Sequence, residues 1–192
     1  MAPPNVAQPA AAKSPHPAAS ARKLEPALRD ALDPYPNTTL HFGDAVRLDL
    51  AALDPAPTKG GANRPYGVAA TVTLRVVEEL PRVETQVAMV QREVGERLAA
   101  KPGSSAYGAP SVLLQLAAKP FFLRPVGTEV FMPRPRVQSA IVGLERIAPG
   151  PSPEVRSLVH AAFAQRRKTL VNALASAGAE KSTVICVLEA RG

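Results

Sequence analysis

Four consecutive residues, Asn63-Arg64-Pro65-Tyr66, follow closely on the glycine pair Gly60-Gly61 and set an amide, a rigid ring and an aromatic almost side by side. A side-chain amide presents donor and acceptor together, the pattern that pairs with the edge of an adenine. An aromatic ring next to it can stack on the face of an unstacked base. Pro65 fixes its own φ and brings no N–H to compete for the carbonyl before it. The chemistry open to this combination is capture of a flipped-out adenine for modification at its amino group. The ordinary alternative is a turn rich in Gly, Pro and Asn with a half-buried Tyr.

Composition narrows the setting. At 192 residues the chain is one domain, or one domain with an appendage. Apolar residues make up 46%, enough for a core, but aromatics make up only 4%, so that core must be Ala, Val and Leu. A formal charge of +7 and a pI near 10.0 favour a polyanionic partner, nucleic acid being the usual one, against simple solubility. The single cysteine, Cys186, excludes an internal disulfide and a Cys-based zinc site. His16, His41 and His160 have no metal-ligand spacing. No apolar run is long enough to cross a bilayer, and the N-terminus lacks a signal-peptide core, so the expectation is a soluble, cytoplasmic protein without a membrane partner.

The elements that must position the tetrad follow in chain order. Residues 1–22 are Ala, Pro and Ser with a few basic residues, and read as a disordered tail. Leu24 to Leu32 has helical spacing, stopped by Pro34 and Pro36. Thr38 to Phe42 is β-prone and leads to Gly43-Asp44-Ala45. An Asp just past a strand end stands where ligands collect in open α/β sheets, or else it is a turn or N-cap residue. Val46 to Leu53 alternates between short strand and turn. Lys59-Gly60-Gly61-Ala62 is a poor strand, since Gly weakens a buried strand or marks a close backbone approach. Val68 to Leu80 predicts a helix, weakened by its β-branched residues. Val87-Ala88-Met89-Val90 predicts a buried strand, and Arg92 to Ala100 a helix. Ser111 to Ala118 is undecided between helix and strand, and Phe121-Phe122-Leu123 is strand-like. Phe131-Met132-Pro133-Arg134-Pro135-Arg136 is an extended basic segment before a strand at Ala140 to Ile147. This alternation argues an α/β layered domain with a late antiparallel edge after the Pro segment. Glu154 to Ala175 predicts the strongest helix, with Arg166, Arg167 and Lys168 in its middle, either a solvated face or a phosphate-contacting surface. Gly178 to Gly192 looks like the beginning of a further helix.

Taken in order, several segments resemble the rRNA adenine dimethyltransferases, whose close relatives are the macrolide-resistance methylases of large-subunit rRNA. The segments are Gly43-Asp44-Ala45, the tetrad at Asn63, Met89 to Val94, Arg97 to Ser104, Tyr107-Gly108, Ser111-Val112, Phe131 to Ser139, and Phe163 to Leu170. The ordered set is specific although each motif alone is weak, and it covers about residues 24–175. The resemblance implies an α/β, partial Rossmann-like S-adenosylmethionine-dependent methyltransferase fold lacking its first strands, with the start of a C-terminal helical subdomain. It divides the chain into a tail (1–22), an incomplete methyltransferase domain (23–148) and a basic helical segment (149–192). The exposed inner edge of such a sheet would be an aggregation liability.

The resemblance also assigns roles. Asp44 matches the residue that contacts the adenine ring of the methyl donor. Asn63, with the backbone around Pro65, matches the group that holds the target amino nitrogen, and with Asp44 it is expected to face the donor. Tyr66 and Phe131 match the rings on either side of the flipped adenine. Arg166, Arg167 and Lys168 match a basic run that contacts rRNA. The implied cofactor is S-adenosylmethionine, the implied partner the rRNA of the small ribosomal subunit, with no metal and a monomeric enzyme. The family's glycine-rich donor loop and ribose-binding acid would fall before Leu24, near Ala19 and Ala21, where the low-complexity tail stands. Arg64, Gly67, Lys59 to Ala62 and Gln138 also depart from the usual pattern. Two functions therefore stand open: an S-adenosylmethionine-dependent rRNA adenine dimethyltransferase, and a catalytically inactive RNA-binding remnant that has lost its donor site.

Overall fold

The computed structural model describes residues 23–63, 67–165 and 167–190. Their elements run α1 (Glu25–Leu32), β1 (Lys59–Asn63), α2 (Ala69–Glu79), β2 (Thr85–Gln91), α3 (Arg92–Leu98), α4 (Ala109–Gln115), β3 (Ala118–Val126), a 3-10 turn (Thr128–Val130), β4 (Ser139–Arg146), α5 (Pro153–Phe163), α6 (Leu170–Ser176) and α7 (Lys181–Glu189). The strands form one sheet in the order β1-β2-β4-β3. β1 pairs parallel with β2, and β4 pairs antiparallel with both β2 and β3.

The core follows from period-two alternation in the strands meeting helical faces. On β2, Gln86, Ala88 and Val90 are buried while Thr85 and Val87 are exposed. Opposite them on β4 lie Leu144, Val142 and Ala140. This face packs on Ala69 and Val77 of α2, Leu98 of α3, and Leu114 and Ala117 of α4 and the residues after it. With so few aromatics, the packing relies on small residues that allow close approach. A Cβ on Gly95 would sit 2.9 Å from Val142 Cγ2, and one on Gly143 would strike the Phe121 ring. A second cluster sets Leu50 against Val76, Leu80 and Val83, so the turns before β1 are packed along α2.

One arginine ties this arrangement together. The last residue of β4, Arg146, reaches the end of α2, where Nη2 donates to the carbonyls of Val77 and Leu80, each at 3.0 Å. Its Nε donates to Val83 O at 2.7 Å and its Nη1 to Ala148 O at 3.2 Å. The last carbonyls of a helix lack partners within it, so a cation there satisfies hydrogen bonds and meets the negative end of the helix dipole. Burial pushes the Arg146 pKa down from its ordinary value, but a guanidinium starts so high that it stays charged.

The helices at 25–32, 69–79 and 92–98 and the strands at 85–91, 118–126 and 139–146 match the expected elements. The undecided stretch at Ser111 resolves as α4, whose Ser111 hydroxyl accepts from Gly108 N–H at 3.1 Å and fixes the first turn.

Four expectations change. Thr38 to Phe42 and Val46 to Leu53 form no strand; hydrogen-bonded turns run from Asp44 to Leu53. Lys59 to Ala62, a poor strand by composition, does pair: it lies at the sheet edge, where Gly is tolerated, and a Cβ on Gly60 would come within 3.1 Å of Gln86 Cγ. The antiparallel strand β4 is not the edge, because β3 pairs along its far side. The single helix expected over Glu154 to Ala175 is two, α5 and α6. Thr169 is the reason: its Oγ1 accepts from Asn172 N–H at 3.4 Å, starting a new helix as an N-cap.

Replacing Arg146 with Met is expected to lower unfolding stability by ~3 kcal/mol, since several helix-end carbonyls lose a charged donor inside the fold. Urea unfolding followed by circular dichroism measures it. Arg146→Lys, with a compact ammonium in place of a fork, should recover less than half of the loss.

Candidate functional site

The sheet places the expected residues before any ligand is considered. Asn63 is the last residue of β1 and pairs with Met89. Gln91 ends the parallel neighbour β2 and pairs with Ser139, the first residue of β4. The carboxyl ends of the two parallel strands therefore share a rim with the amino end of β4. In open α/β sheets that rim is where ligands bind. Because β4 runs antiparallel, the segment Phe131 to Gln138 arrives at the rim that also carries Asn63.

Both ends of that segment are anchored. At the start, Phe131 N–H donates to Thr128 O at 3.3 Å, closing the 3-10 turn and leaving the ring half-buried. At the end, Arg92 N–H donates to Gln138 O at 2.9 Å, and Arg92 Nη1 donates to Gln138 Oε1 at 3.0 Å. Gln138 stands where the resemblance expects an Asp, and its amide oxygen receives Arg92. Arg92 also pairs with Glu96 at 2.8 Å. Between the anchors Met132 is fully exposed and Arg134 and Arg136 face solvent.

Asp44 lies in a tight turn. Its Oδ1 accepts from Val46 N–H at 2.9 Å, and its main-chain oxygen accepts from Arg47 N–H and Leu48 N–H, both at 2.8 Å. Oδ2 is 3.8 Å from Arg47 Nε, a loose contact in an exposed pair. The carboxylate is thus oriented by its own turn and keeps an acceptor facing outward. A feature not anticipated from the sequence adjoins it. Arg75 of α2 donates from Nη1 to Ala45 O at 2.9 Å and from Nη2 to Leu48 O at 2.8 Å, while Nε and Nη2 hold the Glu79 carboxylate, each at 2.6 Å. The Glu79 hydrogen bond raises the Arg75 pKa. The Glu79 pair has the visible i,i+4 spacing; the carbonyls lie 30 and 27 residues upstream and leave no sequence signal.

The rest of the expected site is only partly covered. Pro65, Tyr66 and Arg166 lie outside the described residues, as do Arg64 and the tail at 1–22. Arg167 and Lys168 are exposed in the connection between α5 and α6 rather than on a continuous helix, and Lys168 Nζ reaches Ser176 Oγ at 3.5 Å. Tyr107 meets Phe163 edge-on with ring centroids 6.0 Å apart, and Arg156 pairs with Glu78 of α2 at 2.6 Å, so α5 is held against the sheet domain. Among the described residues no cluster of His, Cys, Asp and Glu could hold a metal, and no helix is long and apolar enough to cross a membrane.

Known proteins supply the context. The family model for ribosomal RNA adenine dimethylase matches residues 20–187. A ribosomal RNA small subunit methyltransferase A of Rubrobacter xylanophilus is 46% identical over 151 residues, covering 78% of this chain and 58% of the relative. The protein of the same name from Nocardia farcinica is 47% identical over 139 residues, 69% of this chain and 47% of its own length. Among solved structures, a dimethyladenosine transferase of Plasmodium falciparum superposes with a TM-score of 0.64 at 25% identity, covering 80% of this chain and 56% of that one. The 23S rRNA methyltransferase ErmE superposes with a TM-score of 0.61 at 22% identity, covering 87% and 68%. The chain thus spans about half the length of the curated relatives it matches. The sheet and its helices have the Rossmann-like fold of these methyltransferases, and the chain belongs to the ribosomal RNA adenine dimethylase family.

Proposed function

We infer that this chain carries the adenine-accepting side of an S-adenosylmethionine-dependent rRNA adenine dimethyltransferase. The observation that carries the reading is the shared rim: Asn63 ends a strand there, and the Phe131 segment is delivered to the same rim by β4. An amide oxygen at Asn63 would accept a hydrogen bond from the target amino group and turn its lone pair toward the methyl. Phe131 would stack on the base, with Tyr66 opposite it, while the main chain at Pro65 receives the second amino hydrogen.

The residues present fit the adenine end of the methyl donor. Asp44 is fixed by its turn and keeps an outward oxygen, which suits an exocyclic amino group. When bound, the donor provides an electrophilic methyl on a sulfonium sulfur. Orientation and the Asn63 acceptor are then the chain's contributions. Arg167 and Lys168, with Arg166, would neutralise phosphates of the rRNA without reading sequence, and the protein would work as a cytoplasmic monomer on the small-subunit RNA.

Radiolabelled S-adenosylmethionine incubated with the full chain and small-subunit rRNA tests this reading. Methyl incorporation into adenine is expected, and Asn63→Ala should lower it by ~100-fold or more. A chain that takes up neither donor by calorimetry nor label into RNA would be an RNA-binding protein only. Separately, changing Arg166, Arg167 and Lys168 together to Ala should weaken RNA binding and reduce the slope of log affinity against log salt by about 2 to 3. Filter binding across a salt series measures it, and an unchanged slope removes this connection from the RNA surface.

A further inference from the structure

We propose that Arg75 is a positioning residue for the donor end of the site, locking the turn that presents Asp44 onto helix α2. The inference rests on the reading of Asp44 as a donor contact. A surface ion pair at i,i+4 would need only Glu79. Here the same guanidinium also donates to Ala45 O at 2.9 Å and Leu48 O at 2.8 Å, one on either side of the Asp44 turn's closing bonds. Its side chain is only 18% exposed, so these bonds are sheltered from competing water. The planar fork makes four such bonds in fixed directions, one more than the three donors of an ammonium on a flexible stem allow.

The chain of contacts is short. Glu79 holds both Nε and Nη2, which sets the plane of the fork. The fork sets Ala45 O and Leu48 O. Between them, Arg47 N–H and Leu48 N–H close on Asp44 O, and Val46 N–H closes on Asp44 Oδ1. Leu48 also packs against the cluster of Leu50, Val76, Leu80 and Val83, so the turn is held to α2 by a polar and an apolar contact. With Arg75 removed the apolar contact remains, and the turn can stay docked while its carboxylate loses a fixed direction.

Backbone hydrogen exchange and donor titration on the full chain separate the parts. In Arg75→Met, amide exchange at Val46, Arg47 and Leu48 is expected to accelerate by about tenfold or more, as for loss of a charge-assisted hydrogen bond. Exchange at Val90 and Val142 should not change. Arg75→Lys should fall between wild type and Met, and Glu79→Gln should have a smaller effect than either. Unchanged exchange at the turn overturns the lock, and acceleration shared equally by Val90 and Val142 overturns a local role. In calorimetry, S-adenosylmethionine affinity should drop about tenfold in Arg75→Met while RNA affinity holds. Equal donor affinity in the two proteins overturns the positioning role. A wild-type chain with no donor affinity overturns the reading of Asp44 itself, and with it the functional half of this inference, whatever the exchange data say of the lock.

Discussion

The contact on which the rest depends is the guanidinium of Arg146 at the end of α2. A helix made largely of Val, Thr and Leu has little intrinsic stability, and the propensity of its sequence does not hold it in place. Its position is set by burial of Ala69 and Val77 against the sheet, by Val76 against Leu50 and Val83, and by one cation that gathers the loose carbonyls at its end. That cation belongs to β4, the strand pinned on both sides by β2 and β3. The central strand of the sheet therefore fixes the helix, and the helix in turn carries Arg75.

Much of this was legible. The apolar run Val87 to Val90 marks a strand, and the helical spacing of Val72, Val76 and Val77 marks a buried helix face. The strand is not buried throughout as expected, because its alternate residues face opposite ways, with Gln86 inside and Val87 outside. Each misread stretch has its own cause. Lys59 to Asn63 has almost no side chain to give a pattern; its place is set by pairing with β2 and by the room its glycines leave for Gln86. Over Glu154 to Ala175 the apolar period continues through the break, and the local competition of the Thr169 hydroxyl decides it. At Thr38 to Phe42 β-propensity is present but no paired neighbour is found among the described residues, and propensity without a partner makes no strand.

The site was legible to a different degree. The resemblance matches Asn63, Asp44 and Phe131 to roles, and the strand register brings Asn63 and the segment after Phe131 to one rim. Gln138, a departure by type, accepts a hydrogen bond from Arg92 through its amide oxygen, an acceptor as a carboxylate oxygen is. What the sequence held no sign of are contacts between distant segments and main-chain atoms, as at Arg75 and Arg146. Every residue offers the same carbonyl, so such partners leave no trace in residue types.

The two anchors on the segment before β4 separate its shape from its surface chemistry. Phe131 is held by the turn behind it and Gln138 by the start of α3, while Met132, Arg134 and Arg136 between them face solvent. Substitutions within that span alter the chemical character of the rim without moving either end of it. Such a stretch can change its surface charge while the strand register stays as it is.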